Sequence, residues 1–448
     1  MLSLKVQEIL FGGSSQLTEL FPQGGARFLN ATVKPILGSS TTAKLLALRN
    51  RRELKKIQKF NKILVIPDTR IGDTIMMQAA STALRDFFPA AEVHYVTNQV
   101  ATPLIHGNPE ISKIIPLFSG LCPSQNDIDA LKNLTQTENY DLCLNLCAFI
   151  QDQELKSNGT AVLNLVSQTP TIVRNEDDPS KVNHFLYQCY RFIRDTLSSV
   201  ATPIRPDHLA GVRTTYSDEV IERAKTEAAR LGVSSRKPVI MINPDTACQF
   251  TLLPFERQSE LLHRIVRLDA TFLLGAGHIS QGIGQRLIDQ LPNSVRDKVK
   301  IIPKDLSLEV YSALIDWSDI FITGDTGPMH IAASRRFSKS GKHLFRNRTS
   351  ILSIFGATSP RTLGYDSFQS GYLTPNQDAP SWSYAAGSTC RNITCLNKMF
   401  KTCKTVRCFE TVDINYLTGL ISTRFNELSQ PNQRPSTSTS REPQLNPT

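Results

Sequence analysis

The chain lacks any uninterrupted apolar run near the roughly 20 residues that a membrane-spanning helix requires, so no transmembrane helix is expected. The N-terminus makes a poor secretion signal as well. The opening Met1-Leu-Ser-Leu-Lys-Val-Gln-Glu-Ile-Leu-Phe11 carries Lys5 and Glu8 inside its apolar part, and the expected location is cytoplasmic. Nine cysteines is an odd number, which excludes a fully paired disulfide framework. Acidic residues are in deficit, 40 against 50 Lys and Arg, leaving a net charge of +10 that suits a nucleotide, an acidic glycolipid or a lipid surface. Nucleic acid fits the same charge. However, zinc-finger spacing and aromatic RNA-binding motifs are both missing, and the basic residues are scattered outside one stretch, so nucleic acid is not an expected partner.

What is present describes a folded protein. Hydrophobic residues make up 40% and charged residues 20% of 448 positions, too long a chain for one ordinary core. Apolar strand-like runs alternate with helical patterns twice along the chain. Lys62-Ile-Leu-Val-Ile-Pro67 predicts a buried strand, Asp68 to Asp73 a loop, and Thr74 to Phe88 a helix. Strands are expected at 92–97, 111–117 and 140–147, with a helix at 181–197. After a Pro-containing stretch at 201–212, a charged helix at 217–231 leads into Val239-Ile-Met-Ile-Asn-Pro244 and a second alternation. Its last strand is expected at Ser350 to Gly356, and a closing helix at Val412 to Leu428. This pattern predicts an α/β chain of two parallel-sheet domains, with ligands at the carboxyl ends of both sheets.

The expected boundaries are 1–61 for an N-terminal extension with a basic helix and 62–212 for the first domain. A linker with the first helix of the second domain follows at 213–236, then the second domain at 237–428 and a disordered tail at 429–448. The helix from Lys44 to Lys62 has one acid among many bases and suits either an anionic membrane or a solvated face resting on the first domain. Cys390, Cys395, Cys403 and Cys408 have the spacing C-x4-C-x7-C-x4-C. That leaves open a structural zinc site or reduced thiols. Gly275-Ala-Gly277-His-Ile-Ser280 is close to a dinucleotide fingerprint but lies deep in the second domain, where it reads as a strand-ending loop.

The stretch Asp319-Ile-Phe-Ile-Thr-Gly-Asp-Thr-Gly-Pro-Met-His-Ile-Ala-Ala-Ser334 is a buried strand, a Gly-containing turn and a short apolar helix that Asp325 or Thr326 caps and Pro328 helps to start. Such a helix N-terminus suits a phosphate or pyrophosphate, and equally suits a capped turn with no ligand. Its segment Gly324-Asp-Thr-Gly-Pro-Met-His330 resembles the signature of the heptosyltransferases, the ninth family of glycosyltransferases. Three further segments agree in order. Ile63-Leu-Val-Ile-Pro-Asp-Thr-Arg-Ile-Gly-Asp73 is similar to the family's opening strand and loop, Gly107 to Ile115 to its next recurrent stretch, and Phe355-Gly-Ala-Thr-Ser-Pro360 to the loop after its last donor-domain strand.

The resemblance implies a GT-B architecture, two Rossmann-like domains facing a central cleft. It implies an inverting transfer, without a required metal or other cofactor, from an ADP-heptose-like donor to a lipid-linked lipopolysaccharide-core or related glycan, with peripheral contact at the inner membrane face. On this basis Asp73 matches the family's general base, with Arg70 and Gly72 in the acceptor-side loop. Asp73 also reads as a plain N-cap. Asp325 fits a contact to the donor sugar, and Thr326, Gly327 and Pro328 the diphosphate at the helix end. His330 either reaches the same site or is a helix-face histidine without a ligand. One departure stands out: Thr251 and Leu253 occupy positions where family members carry a Lys or Arg and a Trp, with Arg257 or Arg361 as possible substitutes.

Overall fold

A computed structural model describes Lys55 and residues 60–120, 122–147, 150, 155, 161–164, 184–198, 201–205, 213–234, 237–246, 251–277, 282–335, 349–356, 358, 360–365, 381–385, 409 and 411–430. The four C-terminal cysteines, the tail beyond Gln430 and most of the basic stretch 44–62 lie outside these residues. The chain divides into two compact units. The first holds the described residues up to Thr102, those from Pro109 to 164, and those from Cys189 to Arg205; the second holds Pro103–Asn108, 184–188 and everything described from 213 onward.

Unit 1 is built on β1 (Lys62–Ile66), whose residues Ile63 to Ile66 are all fully buried. A strand apolar on both faces belongs inside a parallel sheet covered by helices. Around it stand β2 (Glu92–Asn98), β3 (Lys113–Phe118), β4 (Leu142–Asn145) and β5 (Ala161–Asn164) in the order β3-β2-β1-β4-β5, every pair parallel. Strand β5, a run of four residues, is not among the strands expected from the sequence.

The helix expected at 74–88 is two helices, α1 (Ile71–Met76) and α2 (Ala79–Phe87). At the break, Gln78 N–H bonds back to Ile75 and Ala80 N–H to Met77, three residues instead of four, which tightens the chain into a turn. The short α3 (Thr102–Ile105) follows β2, and α4 (Gln125–Thr137) starts on a capping box in which Ser124 and Asp127 satisfy each other's backbone. The helix expected at 181–197 is α5 (Phe185–Ser198).

The stretch expected to leave the first domain after 201 is still tied to unit 1 at Arg205. Asp86 of α2 is buried, and its carboxylate accepts from Tyr190 Oη at 2.6 Å, Arg194 Nη1 at 2.5 Å and Arg205 Nε at 3.0 Å.

Unit 2 contains β6 (Val239–Ile242), β7 (Thr271–Gly275), β8 (Val299–Ile302), β9 (Ile320–Gly324), β10 (Ser350–Phe355) and β11 (Ser381–Ala385). They pair in parallel in the order β11-β10-β9-β6-β7-β8. Strand β11 lies beyond the last strand expected from the sequence, which is β10. Its alternation places Trp382 and Tyr384 against the core of the unit. The helices are α6 (Asp218–Arg230), α7 (Phe255–Ile265), α8 (Ile283–Asp289), α9 (Asn293–Arg296), α10 (Leu308–Ile315), α11 (Gly327–Ser334), α12 (Pro360–Leu363) and α13 (Ile414–Ser429). Ser217, Ser307 and Asp413 cap α6, α10 and α13 with their side chains. Leu417 and Ile421 of α13 join Leu261 and Leu262 of α7 in one core cluster.

Both sheets start at an inner strand, grow outward to one side, then return and grow to the other. The reversal falls between β1 and β4 in unit 1 and between β6 and β9 in unit 2. In open α/β sheets the chain ends diverge at that point and leave a crevice for a ligand. Asp73 follows β1, and the Gly324–His330 turn follows β9.

Candidate functional site

In unit 2 the loops after β6 and β9 are joined by a polar network. Asn243, just past β6, donates from Nδ2 to Thr323 Oγ1 at 3.2 Å, to Thr326 Oγ1 at 3.3 Å and to the Asp245 carbonyl at 3.0 Å. Its Oδ1 accepts from Tyr311 Oη at 3.2 Å, and burial pushes the Tyr311 phenol well above its usual range, so it stays a donor. Thr323 and Thr326 hydroxyls lie 2.9 Å apart. Thr326 is thus the N-cap of α11 in backbone conformation, but its side chain makes no capping bond and faces the network instead.

At the helix end Met329 N–H bonds the Thr326 carbonyl at 3.0 Å, and Pro328, inside the first turn, has no N–H to satisfy. Gly327 N–H, at the first helical position, has no intrahelical acceptor. Asp325, Thr326, Gly327 and Pro328 are all half-buried.

Gly324 is dictated by a close crossing of two backbones. A Cβ there would overlap the Thr251 carbonyl oxygen and sit 2.9 Å from Leu252 Cα. The same crossing lets Asp325 N–H donate to the Thr251 carbonyl at 2.9 Å. Thr251, expected beside the donor, is 8% exposed, and its hydroxyl bonds Thr246 Oγ1 at 2.9 Å. Its backbone builds the turn. Leu253 is buried in the core cluster, and Arg257 of α7 pairs with Glu260 of its own helix at 2.8 Å. The side chain of Arg361 lies outside the described residues.

His330 is buried inside α11. Its Nδ1 lies 2.9 Å from Tyr365 Oη, and its Nε2 lies 3.4 Å from Asp325 Oδ1. The imidazole therefore reaches the turn through Asp325. Asn243, Thr323, Tyr311 and Tyr365 were not singled out from the sequence. Asn243 carried a usable signal, a polar residue directly after an apolar strand at the sheet's reversal point; Tyr365, 35 residues beyond His330, carried none.

In unit 1, Asp73 is not an N-cap. Arg70 holds that position with extended backbone, and Asp73 stands in the first turn of α1. Gly72, expected in the loop, is inside the helix and buried. An acid in a first turn is favoured by the helix dipole. Arg70 bridges two carboxylates, its Nε 3.1 Å from Asp68 Oδ1 and 3.1 Å from Asp73 Oδ2. Asp68 is buried, whereas the Asp73 side chain keeps 20% of its surface exposed. Strand β2 supports this turn from beneath: Tyr95 Oη donates to the Thr74 carbonyl at 2.8 Å, and Asn98 Nδ2 donates to the Thr69 carbonyl.

Among the described residues, no group of three or more His, Cys, Asp or Glu gathers into a metal-holding set, and no helix is long and apolar enough to cross a membrane.

Comparison with known proteins agrees with this construction. A glycosyltransferase family 9 structure from Veillonella parvula DSM 2008 is 16% identical, with 82% of this chain and 98% of that one covered at a TM-score of 0.58. The ADP-heptose LPS heptosyltransferase II of E. coli is 14% identical, with 82% and 99% covered at a TM-score of 0.52. At these identities the likeness concerns the fold, which is GT-B. No curated protein sequence matches the chain. The family model "Glycosyltransferase family 9 (heptosyltransferase)" matches residues 208–365, a span that includes β6, Thr251, β9 and the whole turn into α11. Residues 208–365 are a glycosyltransferase family 9, or heptosyltransferase, domain.

Proposed function

We propose that the chain is an inverting glycosyltransferase that moves a heptose from an ADP-heptose-like donor to a lipopolysaccharide-core or related lipid-linked glycan, without a required metal. The observation that carries this reading is the turn from β9 into α11, set at the reversal point of the unit 2 sheet and inside the family 9 match.

In this mechanism the donor diphosphate lies at the N-terminus of α11, against the backbone of Thr326 and Gly327. Asp325 accepts a hydroxyl of the donor sugar. As the bond from the anomeric carbon to the diphosphate oxygen breaks, charge develops on the leaving group, and the helix end stabilises it without reorganising. An acceptor hydroxyl attacks the opposite face of that carbon. It is a very weak acid, so a carboxylate must take its proton as the new bond forms. Asp73 fills that role, with Arg70 orienting its carboxylate in the resting state. The net charge of +10 and the basic stretch 44–62 suit an acceptor held at an anionic membrane surface.

A second reading is a sugar-nucleotide-binding protein without turnover. Thr251 favours it, because the position where relatives carry a cation is buried here and offers the leaving group none.

Calorimetric titration with a panel of nucleotide sugars tests the donor site. ADP-heptose is expected to bind, and Thr251→Val to bind it equally while losing about 1 kcal/mol of stability with the Thr246 hydrogen bond. A chain that binds none of the panel contradicts both readings. Loss of affinity in Thr251→Val would return Thr251 to the donor contacts.

A further inference from the structure

Behind Asp325 lies a row of three buried rings, of which His330 faces it. Tyr365 stands between His330 and His184, with its ring centroid 5.8 Å from the first and 4.8 Å from the second. All three side chains are at least 95% removed from solvent. Burial pushes His184 down to about 3, so it is neutral under physiological conditions. Burial likewise pushes the Tyr365 phenol far above its usual range, which keeps its proton on oxygen.

The Asp325 carboxylate discriminates between the two hydrogen assignments of a neutral His330. Its Nε2 faces the Asp325 carboxylate at 3.4 Å. A bare nitrogen lone pair against that carboxylate is repulsive, so Nε2 carries the proton and Nδ1 carries the lone pair. The Tyr365 hydroxyl, 2.9 Å from Nδ1, then donates to it.

We propose that Tyr365 is a positioning residue of the donor site: its hydroxyl fixes His330 as the Nε2–H tautomer, and His330 in turn fixes the Asp325 carboxylate against the turn. A ligating or catalytic imidazole is commonly oriented by what its second nitrogen bonds. Here a phenol takes that role, contributed by the segment just after α12. The consequence for function rests on reading Asp325 as a contact to the donor sugar; the tautomer does not.

The test uses the full chain labelled with 15N-histidine, His330→Gln to assign the resonances among the eight histidines, and Tyr365→Phe, which removes one oxygen and keeps the ring on His184. The wild-type spectrum is expected to show Nε2 protonated and Nδ1 bare. Tyr365→Phe is expected to move the His330 resonances toward an exchanging mixture. It should weaken ADP-heptose binding about threefold to tenfold, the scale of one ordinary hydrogen bond, and raise KM with little change in kcat. A protonated Nδ1 in the wild type overturns the proposal even if the variant fails to fold. So does a folded variant whose His330 resonances stay unchanged. The predicted tautomers with no ADP-heptose binding in the wild type would uphold the positioning of Asp325 and remove only the donor reading.

Discussion

Asp73→Asn is expected to lower turnover about 100-fold or more, the ordinary scale of general acid–base catalysis, while donor affinity stays within error. The amide keeps the size and the bonding reach of the carboxylate but cannot accept the acceptor's proton. The structure weakens the main competing account, since Arg70, not Asp73, holds the N-cap of α1. What the substitution does cost the fold is a first-turn charge and a partly exposed ion pair with Arg70. Each is worth up to about 1 kcal/mol. Donor binding is expected to be spared because the proposed diphosphate contacts belong to unit 2. Turnover, donor affinity and unfolding measured on one preparation check this, and normal turnover per folded molecule would remove Asp73 from the mechanism.

Gly324→Ala is expected to be the most damaging small substitution in the donor turn. The new methyl group meets the backbone of the crossing segment, the Thr251 carbonyl and Leu252 Cα. No side chain can rotate away to admit it. Either the crossing opens, losing the Asp325 N–H bond to Thr251, or β9 shifts in its sheet. Overpacking of this kind costs about 1–3 kcal/mol and occasionally more, and backbone contact places this site at the upper end. Donor affinity should fall in parallel, because Asp325 and Thr326 follow directly. A denaturant melt and an ADP-heptose titration read both effects, and an unshifted melt with normal binding would show that the crossing is looser than described.

The fold was legible in the sequence where strands are apolar on both faces. Ile63 to Ile66 and Ile320 to Ile322 announce central strands, because only the interior of a covered sheet buries both faces. The strands that went unseen, Ala161–Asn164 and Ser381–Ala385, are edge strands of four and five residues. Their pairing partners, not their own composition, make them strands. The turn after β9 was legible because its chemistry is local: a glycine, an acid, a threonine and a proline at a helix start. Its supports were not. Asn243, Tyr311, Thr251 and Tyr365 reach it from loops and helices far along the chain, and only the sheet order brings them together. Thr251 was read as a side chain facing the donor, whereas its carbonyl is what the turn uses. For His330 the sequence leaves open a place at the site or on a bare helix face, and the fold buries it between Tyr365 and Asp325.

The most direct measurement is ADP release from ADP-heptose by the full chain, with and without a lipopolysaccharide-core glycan. The account predicts sustained release over many turnovers that the glycan accelerates and that Asp73→Asn abolishes. Stoichiometric binding of ADP-heptose with no release, even with glycan present, would contradict it and leave a sugar-nucleotide-binding protein in its place.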